Sequence, residues 1–262
     1  MAFLNWHFRS EVLDFTCAVH VILPQENAAN TSSRRAKKYP VLWLLHGMSD
    51  DHTTWMRRTS IERYATSAGI AVIMPSAGLS WYQDMAAGAK YGTFLREELP
   101  RVGQSIFPIS SARKDNFIAG LSMGGYGAFL LALSQPERFA AAASLSGALN
   151  VAASVHGLDK QWQQIVKSAF GDPDKVSGSK SDLLYLAKNL VRSGKSTPKL
   201  YACCGSKDFL LRQNHVFVTH AEKIGLPLTY EEHSDKSHEW GYWDQQIQRV
   251  LEWLPIPSNK KP

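Results

Sequence analysis

The stretch Asn116-Phe-Ile-Ala-Gly-Leu-Ser-Met-Gly-Gly-Tyr-Gly-Ala128 decides how this chain is read. An apolar run with the look of a buried strand ends in Gly120-Leu121-Ser122-Met123-Gly124, and a helix begins near Gly124. The pentapeptide fits G-x-S-x-G, and it stands where a nucleophile elbow requires it, between a strand and a helix. A serine there occupies a sharp turn that exposes its Oγ. Strand and helix then converge so closely that the positions two before and two after it must be small. Gly120 and Gly124 meet that need. The competing reading is a glycine-rich turn carrying an idle serine.

Strand and helix signals alternate on both sides of this motif. Residues 5 to 23 hold two strand-like stretches around Glu11 to Asp14, which predicts an antiparallel hairpin. Pro40-Val-Leu-Trp-Leu-Leu reads as a strand buried on both faces. Beyond it the pattern predicts a helix near 55 to 68, a strand at 70 to 75, a helix at 91 to 105, the strand at 116 to 121, a helix at 124 to 135 and a strand at 140 to 146. The alternation resumes with a strand at 199 to 204, a helix at 210 to 224, a strand at 228 to 233 and a helix at 240 to 254. Such an order argues for one α/β domain over residues 1–262. With the elbow, it predicts the α/β-hydrolase fold: a mostly parallel twisted sheet of about eight strands, an antiparallel N-terminal hairpin and helices on both faces. Residues 147 to 198 exceed a usual crossover and are expected to form a cap, the alternative being a peripheral helical excursion.

A serine at its free pKa is a poor nucleophile, so a histidine must take its proton and a carboxylate must orient that histidine. In this fold the chain order is Ser, Asp or Glu, then His, on loops after late strands. Asp208 is the acidic residue that follows the strand Leu200-Tyr-Ala-Cys-Cys, with Gly205 allowing the turn. A helix N-cap is its alternative role. His238 lies in the loop Ser234-Asp-Lys-Ser-His before the final helix, whereas His233 ends the last strand and is the weaker candidate. His215 and His220 fall inside a helix. The oxyanion donors are expected at the backbone amides of Met123 and of Met48, which follows His46-Gly47. Trp55, Trp81 and Tyr82 fall near the carboxyl ends of strands and are candidates for the substrate pocket, with core packing as the alternative.

Composition narrows the classes further. The chain has 262 residues, 44% hydrophobic and 20% charged, the profile of a globular protein. Its net charge of +6 gathers partly in a loop with Arg34, Arg35, Lys37 and Lys38 and in a tail with Lys260 and Lys261. No recognised nucleic-acid motif accompanies it, so no polynucleotide partner is expected. No apolar run approaches a membrane span and the N-terminus lacks a signal-peptide core. Cys17, Cys203 and Cys204 are odd in number and read as reduced thiols, which predicts a cytoplasmic protein. Metal-ligand spacings and a G-x-G-x-x-G loop after a strand are both missing, so neither a metal nor another cofactor is expected. A small-molecule ester is the expected partner, and a homo-oligomer is compatible with the sequence.

Several spaced motifs, taken together, have a familiar order: His46-Gly47, Trp81-Tyr82-Gln-Asp84-Met85, Glu97-Glu-Leu-Pro100, the elbow through Ala128, Cys204-Gly205 with Asp208-Phe209, and His238-Glu-Trp-Gly-Tyr-Trp243. From about residue 3 to 254 the chain resembles the tributyrin esterase family of acyl esterases, and more distantly S-formylglutathione hydrolase (esterase D). The resemblance implies an intracellular carboxylesterase for short acyl chains, with Ser122, Asp208 and His238 as the triad. It also brings thioester and acetyl or feruloyl ester hydrolysis into view. The chain departs from the family's usual pattern mainly in the basic loop near residues 30 to 38 and in the composition of the 147–198 excursion.

Overall fold

The structure is a computed structural model and describes residues 1–25, 38–154 and 160–256. The basic positions Arg34, Arg35, Lys37, Lys260 and Lys261 lie outside the described residues. Eight strands form one sheet in the order β1-β2-β4-β3-β5-β6-β7-β8. They are β1 (Ala2–Arg9), β2 (Thr16–Leu23), β3 (Val41–Leu45), β4 (Ala71–Pro75), β5 (Asn116–Leu121), β6 (Ala141–Leu145), β7 (Lys199–Gly205) and β8 (Thr229–His233). β1 and β2 pair as an antiparallel hairpin, and β2 meets β4 antiparallel. From β4 to β8 all pairs are parallel. This is the predicted fold, an α/β-hydrolase sheet.

The helices are α1 (Thr54–Arg58), α2 (Ile61–Ala68), α3 (Tyr91–Thr93), α4 (Leu99–Ile106), α5 (Met123–Ser134), α6 (Val151–Ser154), α7 (Lys160–Phe170), α8 (Leu183–Ser193), α9 (Leu211–Ile224) and α10 (Trp240–Trp253). Period-two alternation in the central strands feeds two cores. On β3, Val41, Trp43 and Leu45 face one core with α5, α8 and α9, while Leu42 and Leu44 face the other with α2 and α10. Helix α5 is apolar all round and buried from Met123 to Leu133, as a helix packed on every side must be.

Three local outcomes differ from the sequence pattern. The single helix expected near 55 to 68 is two, because Thr59 is extended (φ −137°, ψ 172°). Its hydroxyl donates to the Trp55 carbonyl (2.6 Å) and accepts from the Ile61 amide (3.2 Å), which ends one helix and starts the next. Between α3 and α4 the backbone takes a π-helical turn over Phe94–Glu98. The buried Glu98 reaches back from that turn to the β1–β2 hairpin, accepting from the Ser10 hydroxyl and from the Glu11 amide (2.7 Å). In the 147–198 excursion, α8 is capped by Asp182 and buries Leu183, Ala187 and Leu190 against α5 and α9. Its second half is thus part of a helical layer.

Parallel register aligns the strand ends. Leu45, Gly120, Ser144, Ala202 and Tyr230 form one row across β3, β5, β6, β7 and β8. The loops that leave this row therefore emerge on the same edge of the sheet. The order also reverses there, since β3 is followed outward by β4 and the chain then returns to the far side of β3 as β5. Ligand sites in open α/β sheets form at such a crevice.

Candidate active site

Ser122 is the residue between β5 and α5, at φ 53° and ψ −117°. A non-glycine residue in this region carries backbone strain of about 1–3 kcal/mol. The surroundings hold it there: its amide donates to the Leu145 carbonyl (2.9 Å), and its carbonyl accepts from Tyr126 (3.1 Å) and Ala148 (3.2 Å). The small flanks are a steric requirement. A Cβ on Gly124 would sit 2.6 Å from the carbonyl oxygens of both Leu45 and His46, and one on Gly120 would sit 2.9 Å from Gly124 Cα. The turn thus presents the Ser122 hydroxyl at the carboxyl edge of the sheet.

The loops after β7 and β8 bring a carboxylate and an imidazole to that hydroxyl. His238 Nε2 lies 3.1 Å from Ser122 Oγ, and His238 Nδ1 lies 2.9 Å and 3.1 Å from the Asp208 carboxylate oxygens. The two loops are stitched together. The Ser206 amide donates to the His233 carbonyl and the Lys207 amide to the Lys236 carbonyl, both at 2.9 Å, and Lys207 pairs with Asp235 at 2.7 Å. The Asp208 side chain has no solvent exposure, whereas that of His238 keeps 18%. Burial alone pushes the Asp208 carboxyl up. The hydrogen bond and charge of His238, the Leu210 amide (2.8 Å) and Ser146 outweigh it and hold the group below the usual carboxylate range. An ionised, desolvated carboxylate is suited to orient an imidazole and to stabilise its protonated form. Of the nine histidines, His233 instead faces Tyr242 and Glu231.

The Met123 amide opens α5 directly after Ser122, and the Met48 amide follows His46 and Gly47 in the loop after β3. Neither donates a hydrogen bond to the backbone or to a side chain among the described residues. The loop carrying Met48 is held by buried polar contacts. His46 Nδ1–H donates to the Gly47 carbonyl (2.6 Å), while Nε2 accepts from the Ala77 amide (2.9 Å). Both nitrogens are committed in the neutral tautomer, and burial pushes this imidazole down to about 4. Tyr82 Oη donates to the His46 carbonyl at 2.6 Å.

The pocket expectation for Trp55 and Tyr82 gives way to packing. Both have no exposed surface: Trp55 donates to the Leu45 carbonyl (3.0 Å) and meets Trp240 edge-on, and Tyr82 lies against Gly127. Trp81 is also buried, in a cluster with Tyr126 and Phe170. Sequence reasoning missed three neighbours of the centre. Ser146, at φ 48°, accepts from Trp243 Nε1 (3.0 Å) and supports Asp208. Trp243 meets the His238 ring edge-on at 4.8 Å, and Phe209 lies across it at 4.5 Å. An apolar residue directly after the acid in a polar loop was the available signal for Phe209.

A family model described as "Putative esterase" matches residues 10–254. The chain belongs to this esterase family. An acetyl esterase of Caldicellulosiruptor saccharolyticus is 30% identical over 268 aligned residues, which cover 99% of this chain and 100% of the relative. Among solved structures, the fluorophosphonate-binding serine hydrolase FphF of Staphylococcus aureus superposes with a TM-score of 0.90 at 36% identity, covering 98% of this chain and 99% of that one. The S-formylglutathione hydrolase FrmB of the same organism gives a TM-score of 0.87 at 37% identity, covering 97% and 98%. The esterase fold, the hydrolase class and action on carboxylic esters follow from this membership. Among the described residues, no helix is long and apolar enough to cross a membrane.

Proposed function

We propose that this esterase is a serine carboxylesterase for small, short-acyl esters, with Ser122 as nucleophile, His238 as general base and Asp208 as its orienting partner. The observation that carries the reading is the unbroken relay from Ser122 Oγ to His238 Nε2 at 3.1 Å and from His238 Nδ1 to Asp208 at 2.9 Å. Ser122 Oγ attacks the ester carbonyl carbon as its proton passes to His238 Nε2. The Met123 and Met48 amides receive the developing oxyanion, each donor being worth about 3 kcal/mol. Collapse breaks the bond to the alcohol oxygen, which takes the proton from His238. A water molecule then repeats the sequence on the acyl-enzyme and releases the acid. The unbroken eight-strand sheet supports a single domain. The three free, buried cysteines support a cytoplasmic setting, and the tributyrin esterase motifs support short acyl chains.

The test compares initial rates on p-nitrophenyl acetate, butyrate and octanoate for the native chain and Ser122→Ala. Rates that favour the shorter acyl groups and fall at least about 10⁴-fold in the variant are expected. An inert native chain, or an active variant, removes the nucleophile assignment. The similarity to FrmB raises a second reading, the same acyl-enzyme chemistry with a thiol leaving group. A far larger kcat/KM on S-formylglutathione than on p-nitrophenyl acetate selects it.

A further inference from the structure

His238 touches two aromatic rings, and they differ in what they offer a substrate. Trp243 is buried, and its indole N–H is bound to Ser146 Oγ at 3.0 Å. Phe209 is 75% exposed, the most exposed large apolar side chain among the described residues. The turn that carries it is anchored on both sides. The Asp208 amide donates to the Gly205 carbonyl (3.0 Å), the Leu210 amide to the Asp208 carboxylate (2.8 Å), and the Leu211 amide to the Asp208 carbonyl (3.0 Å). A phenyl ring is thus held in water beside the imidazole.

Resting on the acyl-enzyme reading above, the reaction fixes which part of a substrate meets this ring. His238 Nδ1 is occupied by Asp208, so protons move through Nε2. The departing oxygen must come within hydrogen-bond reach of Nε2 to be protonated. The atoms attached to that oxygen therefore lie beside the imidazole, whose exposed aromatic neighbour is Phe209. The acyl carbonyl turns instead toward the amides of Met48 and Met123. We infer that Phe209 is the wall of the leaving-group subsite and that it selects esters whose alcohol portion carries an aromatic or other flat apolar group.

Benzyl acetate and methyl acetate test this. They pass through the same acetyl-enzyme and differ only in the alcohol, so kcat/KM isolates the leaving-group side. Phe209→Ala is expected to lower kcat/KM on benzyl acetate about tenfold more than on methyl acetate, the size of one lost aromatic contact. Phe209→Leu, which keeps apolar bulk, falls between. Benzyl butyrate gives the same native-to-variant ratio as benzyl acetate, and the pH profile of kcat/KM does not move. Equal losses on the benzyl and methyl esters, or a displaced pH profile with no selectivity change, overturn the inference in favour of a role in holding His238. Thermal melting of each variant checks folding. A native chain inert toward all these esters sinks the esterase reading and this subsite with it, whereas an active native chain with unchanged selectivity in the variants sinks the subsite alone.

Discussion

Replacing His46 by Gln removes a titrating imidazole while keeping one of its two hydrogen bonds, the one from the Ala77 amide. Gln carries a side-chain oxygen at about the distance of Nε2, so the Ala77 amide keeps an acceptor, but the group no longer binds a proton. Burial drives the His46 imidazole down to about 4 in the folded chain, against about 6.5 when unfolded. Between those values the unfolded state binds more protons, so stability rises with pH across the window. The contribution is complete above about pH 6.5 and is lost as pH falls toward 4. Midway, near pH 5.2, the two states differ by about 0.9 proton at this site, a slope of about 1.2 kcal/mol per pH unit. The whole window amounts to about 3 kcal/mol. His20, His52 and His233 are also pushed down by burial and steepen both profiles alike. The difference between native and His46→Gln chains therefore isolates one residue. Urea unfolding at a series of pH values from about 4.5 to 7 should give a shallower profile for the variant by that slope. Parallel profiles would refute the assignment of a neutral, proton-excluding His46.

Two further substitutions probe the elbow and its supports. Gly124→Ala forces a Cβ against the Leu45 and His46 carbonyl oxygens at 2.6 Å, where only backbone can yield. A loss of at least about 2 kcal/mol is expected, seen as a melting temperature lower by about 4–8 °C, together with a fall in kcat as Ser122 shifts. Tyr82→Phe strips the donor from the buried His46 carbonyl and should cost about 1–3 kcal/mol by urea unfolding.

The parts of this molecule legible in its sequence are those set by periodicity and by steric necessity. Continuous apolar runs such as Val41–Leu45 and Asn116–Leu121 announce strands covered on both faces, and the convergence at Ser122 demands Gly120 and Gly124 whatever surrounds them. The fold's chain order leaves few residues in the right loops, which is why the sequence singles out Asp208 and His238, and the structure brings both beside Ser122. Side-chain direction was not reachable. Trp55 and Tyr82 stand near strand ends, where an aromatic residue facing a pocket and one facing the core look alike in sequence. Their destinations depend on the carbonyls of Leu45 and His46, to which they donate. The break at Thr59 rests on hydroxyl hydrogen bonds, and the π-helical turn at Phe94–Glu98 on a partner 88 residues away, Ser10. Neither leaves a mark in local hydropathy. Phe209 escaped notice because exposure, not burial, makes it informative.

The distribution of the site among connections has a consequence for exchange of parts. Ser122, Asp208 and His238 leave the sheet after β5, β7 and β8, and the Met48 loop leaves after β3. The longest excursion hangs from β6, and among its described residues Ser146 supports Asp208 while the Ala148 amide donates to the Ser122 carbonyl. The relay from Ser122 to His238 to Asp208 takes no side chain from α6, α7 or α8. Relatives with longer, shorter or altogether different segments between β6 and α8 can therefore share one reaction centre, and a transplanted segment would carry recognition without rebuilding the chemistry.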